Sequence, residues 1–137
     1  MNFIIKEYEN YRENEILSLY KSVGWINYTN NPEMLKNAYK NSLKIYGAYV
    51  GDELAGVIRV VGDGFSVIFV QDLLVRPEYQ RKGIGTALIK KVLTEYKSVY
   101  QIHLMTDNNE KSVRFYKSAG FLMDEDINCR SFSVYNT

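Results

Sequence analysis

The residues best suited to chemistry sit together in Gln80-Arg81-Lys82-Gly83-Ile84-Gly85-Thr86, where an apolar run passes into a helical pattern. Glycines at 83 and 85 let backbone approach an anion with no Cβ in the way. The first N–H groups of the helix have no intrahelical partner and carry about half a positive charge. Arg81 and Lys82 add two cations that either meet phosphate or remain solvated. The arrangement suits a diphosphate. It is not a Walker motif, because Gly-Lys-Ser/Thr is missing, and a dinucleotide fingerprint would need glycine where Leu88 stands. Elsewhere the options are few. The chain has a single His (His103) and a single Cys (Cys129), so a Ser-His-Asp or Cys-His system must use His103. No Cys/His cluster has zinc spacing, and no metal is expected.

Those residues must be held by a folded frame, and the 137-residue length fits one domain spanning 1–137. Residues 2–8 read as a strand, and apolar positions recurring between Asn10 and Val23 read as a helix that Gly24 stops. Pro32 and Glu33 open a second helix whose apolar face is Leu35, Ala38, Tyr39 and Leu43. Strands over 45–50 and 54–61 follow, joined at Gly51-Asp52-Glu53, and Gly62-Asp63-Gly64 makes another turn. Phe65–Val75 is nearly continuous in apolar residues, the pattern of a strand buried on both faces. A helix then runs to about Tyr96, a strand covers 102–106, and a helix spans 109–119. Phe121-Leu122-Met123 and 131–135 read as closing strands. The order βααβββαβαββ defines an α/β layer fold.

Seventeen Lys+Arg against 16 Asp+Glu give a net charge of +1, which argues against a nucleic-acid binder. No secretory leader pattern and no apolar run of membrane-spanning length is present in these residues, so a soluble, cytoplasmic domain without a membrane partner is expected.

Two segments carry a resemblance. Asp72-Leu73-Leu74-Val75-Arg76-Pro77-Glu78-Tyr79-Gln80-Arg81-Lys82-Gly83-Ile84-Gly85 is similar to motif A of the GNAT superfamily of N-acetyltransferases, whose signature is Gln/Arg-x-x-Gly-x-Gly/Ala. Asn109-Glu110-Lys111-Ser112-Val113-Arg114-Phe115-Tyr116, followed by Gly120-Phe121, resembles motif B, with Ser112 where Ala is usual. The motifs stand in the family's order and separation, and the element order fits that fold across nearly the whole chain. The resemblance implies a single mixed, mostly antiparallel sheet, splayed between its fourth and fifth strands and flanked by about four helices.

It also implies acetyl-coenzyme A as cosubstrate. Backbone N–H groups of Arg81, Lys82, Gly83, Ile84, Gly85 and Thr86 would hold the pyrophosphate. Leu73, Leu74 and Val75 would carry the pantetheine arm, the main chain at 73 and 75 pairing with it like an added strand. The Val75 N–H would meet the acetyl carbonyl, Asn109 the cofactor, and the Tyr116 phenol the leaving thiolate. A phenol near pKa ~10 and a thiol near ~8.5 make full proton transfer uphill by about 2 kcal/mol, whereas a strengthening hydrogen bond needs none. Without the family role, Tyr116 reads as a core tyrosine on the face of Val113.

The attacking amine must be neutral, which for a lysine-like group costs roughly 4–5 kcal/mol at pH 7. Asp72 is the first candidate for a base, with an ion pair or a turn anchor as the alternative, because burying a lone carboxylate is expensive. His103 is a second candidate; Cys129 lies outside both motifs. In this fold the segment between the first two helices covers the acceptor pocket. Here Trp25 and Tyr28 either line a site for a flat or cationic acceptor or pack the loop onto the sheet. Arg59 binds an acceptor carboxylate or pairs with Asp63 or Asp72. The run Asp124-Glu125-Asp126 attracts a polyamine or is solvated. The expected activity is direct acetyl transfer to a primary amine of a small molecule or peptide. A non-catalytic acyl-coenzyme A sensor on the same fold is the alternative, and a homodimer is compatible with either.

Overall fold

A computed structural model describes residues 2–136; Met1 and Thr137 lie outside the described residues. The chain divides into two compact units, Met1–Met105 and Thr106–Thr137.

The first unit is a five-stranded sheet with helices. Its strands are β1 (Ile4–Glu7), β2 (Lys44–Val50), β3 (Glu53–Gly62), β4 (Val67–Val75) and β5 (Gln101–Leu104), in the spatial order β1-β2-β3-β4-β5. The first three pairings are antiparallel and the last is parallel. A parallel neighbour requires a crossover, which is the helix α4 (Ile84–Glu95) between β4 and β5. Ile84, Leu88, Ile89 and Val92 of α4 are buried, and the helix packs on β2, β3 and β4. Helices α1 (Glu13–Ser22) and α3 (Pro32–Lys40) build another core, in which Ile16, Leu19, Tyr20, Leu35 and Tyr39 meet Ile45, Leu54, Val57 and Leu74 of the sheet.

The register sets the shape of the β4–β5 junction. Pairing covers only Val67–Val70 of β4 against β5, so Gln71–Val75 runs on past the end of its parallel neighbour. That is the splay expected between the fourth and fifth strands. β4 itself departs from expectation. Ile68, Val70, Asp72 and Leu74 are buried, whereas Val67, Phe69, Leu73 and Val75 are half-buried and Gln71 is exposed. An unbroken apolar run has no alternation to reveal which face is wetter. The segment after α1 also holds a short helix, α2 (Ile26–Thr29), that periodicity over four residues cannot show.

Between β3 and β4 the chain turns on Asp63, whose carboxylate accepts from the N–H groups of Phe65, Ser66 and Val67 and from the Ser66 hydroxyl. Those donors hold it well below the usual carboxylate range, the Ser66 bond contributing most.

The second unit contains α5 (Glu110–Ser118) and a 3-10 turn at Asp124–Ile127. The expected strands at 121–123 and 131–135 are absent among the described residues. Alternation such as Phe132/Val134 suits a strand, but a strand is a paired structure, and no sheet partner accompanies this segment.

Candidate active site

β4 ends at a turn built for close backbone approach. The Arg76 N–H donates to Ala55 O on β3 at 2.8 Å. Successive amides of an extended chain face opposite edges, so the N–H groups of Val75 and Leu73 point away from β3. On that edge β5 pairs no further than Val70, and no ladder partner stands opposite Leu73 or Val75 among the described residues. Gly56 lies across from Val75 on the β3 side; a Cβ there would come within 2.8 Å of Leu74 O, so glycine lets the two strands close up.

The turn that follows is pinned from both ends. The Gln80 side-chain amide donates to Val75 O at 2.9 Å. The buried Arg76 guanidinium donates from Nε to Leu54 O (2.8 Å) and from Nη2 to Ser18 Oγ (3.2 Å). Arg76 is a residue that motif reading passed over; a cation closing an apolar strand was its only signal. Beyond a 3-10 turn at Pro77–Tyr79, Arg81 has φ 64° and Gly83 has φ 87°. Two left-handed residues flanking Lys82 curl successive N–H groups toward one concave side, the geometry of an anion nest. A Cβ at Gly83 would meet nothing within 4 Å, so glycine is needed there for its conformation and not for space.

Gly83 is also the N-cap of α4 and offers no side chain to cap it. The first helical bond runs from Ala87 N to Gly83 O, which leaves the N–H groups of Ile84, Gly85 and Thr86 without helical acceptors. The structure therefore brings the expected residues 81–86 together at one helix start, with the Arg81 and Lys82 side chains exposed.

Asp72, two residues before Leu74 on β4, sits in a different environment. It is 2% exposed, and its Oδ2 accepts from Arg59 Nε and Tyr20 Oη, both at 2.7 Å. Its Oδ1 accepts from Tyr28 Oη at 3.3 Å. A carboxylate in an ion pair only accepts, so the single Tyr20 proton is committed to it. Tyr39 then donates to Tyr20 Oη across 2.9 Å. Arg59 Nη1 reaches Ser42 Oγ at 3.3 Å. Burial first, then the neighbouring Tyr39 and Asp72, push the Tyr20 phenol well above its ordinary value. Of the partners expected for Arg59, the geometry selects Asp72; Asp63 is occupied by its own turn. Trp25 and Tyr28 stand 6.1 Å apart at 31°, and both rings pack on Tyr20, so no slot opens between them.

In the second unit, Asn109 caps α5, its Oδ1 accepting from Ser112 N–H at 2.8 Å. That bond leaves the Asn109 amide N–H groups as donors. Tyr116 is half-buried on α5, with Phe115 at 4.9 Å and Phe121 at 5.9 Å between ring centroids. Burial raises its phenol and Asp107 adds to the effect, against an opposing hydrogen bond with the Thr106 side chain. The hydroxyl is therefore a neutral donor across the physiological range.

The remaining candidates are ordinary surface groups. His103 pairs with Phe69 in the ladder and lies 3.2 Å from Gln101 Oε1. Cys129 is exposed, and Asp126 approaches Lys117 at 3.9 Å. No group of three or more His, Cys, Asp or Glu side chains is placed to hold a metal among the described residues.

Comparison with known proteins gives a consistent result. An acetyltransferase of the GNAT family from Streptococcus pneumoniae TIGR4 superposes with a TM-score of 0.89, is 44% identical and covers 98% of both chains. An uncharacterized N-acetyltransferase of Prochlorococcus marinus is 30% identical over 129 residues, 89% of this chain and 69% of that protein. Another, from Pyropia yezoensis, is 26% identical over 82% of this chain and 66% of its own length. The chain thus spans about two thirds of these two relatives. Residues 7–121, which include the nest, Asp72 and Tyr116, match the acetyltransferase (GNAT) family, and with most of its length inside that match the chain belongs to the family.

Proposed function

We propose that the protein transfers an acetyl group directly from acetyl-coenzyme A to a primary amine of a small molecule or peptide, with residues 1–137 acting as one functional domain. The observation that carries this reading is the nest: left-handed residues at 81 and 83 feeding three unsatisfied N–H groups at the start of α4. A diphosphate is the group that such a cradle suits, since it offers several acceptor oxygens and negative charge to a helix N-terminus. Acetyl-coenzyme A, when bound, supplies the thioester whose carbonyl is attacked.

In this reading residues 81–86 hold the pyrophosphate, while Leu73 and Val75 offer their free edge to the pantetheine amides and Leu74 lies between them, its main chain turned to β3. The Val75 N–H is the donor to the carbonyl oxygen as it gains charge. One such donor is typically worth about 3 kcal/mol. Asn109 contributes a further contact to the cofactor through its amide. Tyr116 supports departure of sulfur by donating a hydrogen bond that strengthens as charge develops; its raised pKa makes outright proton transfer less favourable still. Trp25, Tyr28 and Arg59 belong to the acceptor side, Arg59 acting through Asp72. With three protein donors on its two oxygens, Asp72 serves first as an anchor for Arg59, Tyr20 and Tyr28.

The experiment is a thiol-release screen with acetyl-coenzyme A against aryl-alkylamines, polyamines, aminoglycosides and amino acids, paired with calorimetry of the cofactor alone. Turnover with at least one amine class is expected. Cofactor binding without thiol release across the panel would replace this reading with an acyl-coenzyme A sensor.

A further inference from the structure

Tyr28 holds an unusual position in the buried network. It stands on the four-residue helix α2, half-buried, and its single proton is directed inward to Asp72 Oδ1. The far side of the phenol oxygen meets Gln71 Nε2 at 3.4 Å, a long contact at the surface. A phenol oxygen has two lone pairs, so this one retains accepting capacity toward solvent and has no proton to offer. We propose that Tyr28 grips the acceptor amine by accepting a hydrogen bond from its N–H, and that Asp72 fixes this polarity. The inference rests on the acetyltransferase reading above and assigns the residue that orients its amine.

Three features support it. The Asp72 charge is offset by Arg59 at 2.7 Å, so what the network exports to the surface is hydrogen-bond direction and not net charge. The Trp25, Tyr20 and Tyr28 rings pack on one another, so they do not form a cage around a cation. Burial and the Asp72 charge both raise the Tyr28 phenol, so the hydroxyl keeps the proton that it directs to Asp72 Oδ1. Asp72 and Arg59 are therefore positioning residues, and Tyr28 is the one that touches substrate.

Trp25 is the single tryptophan of the chain and its ring lies 6.1 Å from that of Tyr28, so intrinsic fluorescence reads this place without turnover. Benzylamine and benzyltrimethylammonium carry the same ring and the same charge at pH 7, but only the first has N–H donors. The expected result is saturable benzylamine binding that is about tenfold tighter than that of the quaternary probe, the size of one hydrogen bond to a charged donor. Tyr28→Phe keeps the ring and should erase that preference; a steric origin would survive the substitution. Equal affinity for the two probes in the native protein, no saturable response to benzylamine, or a preference persisting in Tyr28→Phe would each overturn the proposal. The native-protein comparison stands even where the variant is unstable. Acetyl-coenzyme A binding and thiol release are measured separately, so failure of the transferase reading shows there and failure of the Tyr28 assignment shows here.

Discussion

Asp72 and Arg59 face each other across β4 and β3 at 2% and 4% exposure, and each is costly to leave alone. Arg59→Leu or Asp72→Asn strands a buried charge, so either should lower unfolding stability by about 3–5 kcal/mol in urea titrations. The double change Arg59→Met/Asp72→Leu should recover only part of that loss, because it removes both charges but leaves the buried Tyr20 hydroxyl without its acceptor. A double variant no more stable than the singles would refute the stranded charge as the source of the loss. Tyr116 makes a different demand. Tyr116→Phe keeps the ring contacts with Phe115 and Phe121 but removes the donor, so kcat should fall about tenfold or more, with calorimetric acetyl-coenzyme A affinity unchanged. An unchanged kcat rejects the donor role. Sequence made Asp72, Arg59 and Tyr116 visible as candidates, yet it gave no sign that Tyr20 turns its hydroxyl to Asp72 or that Tyr39 turns its own to Tyr20. Tyr20 and Asp72 are 52 positions apart, and a tyrosine at a core-facing helical position looks the same with or without a polar partner.

The elements around the nest were readable because their signals are local. Glycines at 83 and 85 announce a helix start, and Pro77 announces the end of a strand. The left-handed conformation of Arg81 was not readable, since a non-glycine residue carries no mark of positive φ. The closing strands failed for the opposite reason: local pattern favoured them, but pairing is decided by what lies alongside. The turn at Asp63 supplies a pH test. Its carboxylate titrates lower in the folded chain than the unfolded value near 3.9, because four donors favour the charged form. Its contribution is complete above about pH 4 and is lost as pH falls through the depressed folded pKa. Asp63→Ala should thus be less stable than the native chain at pH 7, and the gap should narrow when denaturation is repeated near pH 2. A gap independent of pH would show that the turn does not depend on the ionised carboxylate.

For the molecule as a whole, the proposed activity rests on one feature of the first unit. That feature is the backbone cradle between β4 and α4, from which the proposed acyl donor is argued. Affinity should reside in the diphosphate, with the thioester arm laid along the free edge of Leu73–Val75. The most direct measurement is calorimetric titration of the native protein and Gly83→Ala with acetyl-coenzyme A and with acetyl-pantetheine, which lacks the nucleotide and its diphosphate. Forcing a Cβ onto a left-handed residue costs roughly 1–2 kcal/mol and displaces the cradle. The account predicts about tenfold weaker acetyl-coenzyme A binding in Gly83→Ala and no change for acetyl-pantetheine. Equal losses for both compounds, or an unaltered affinity for acetyl-coenzyme A, would contradict it.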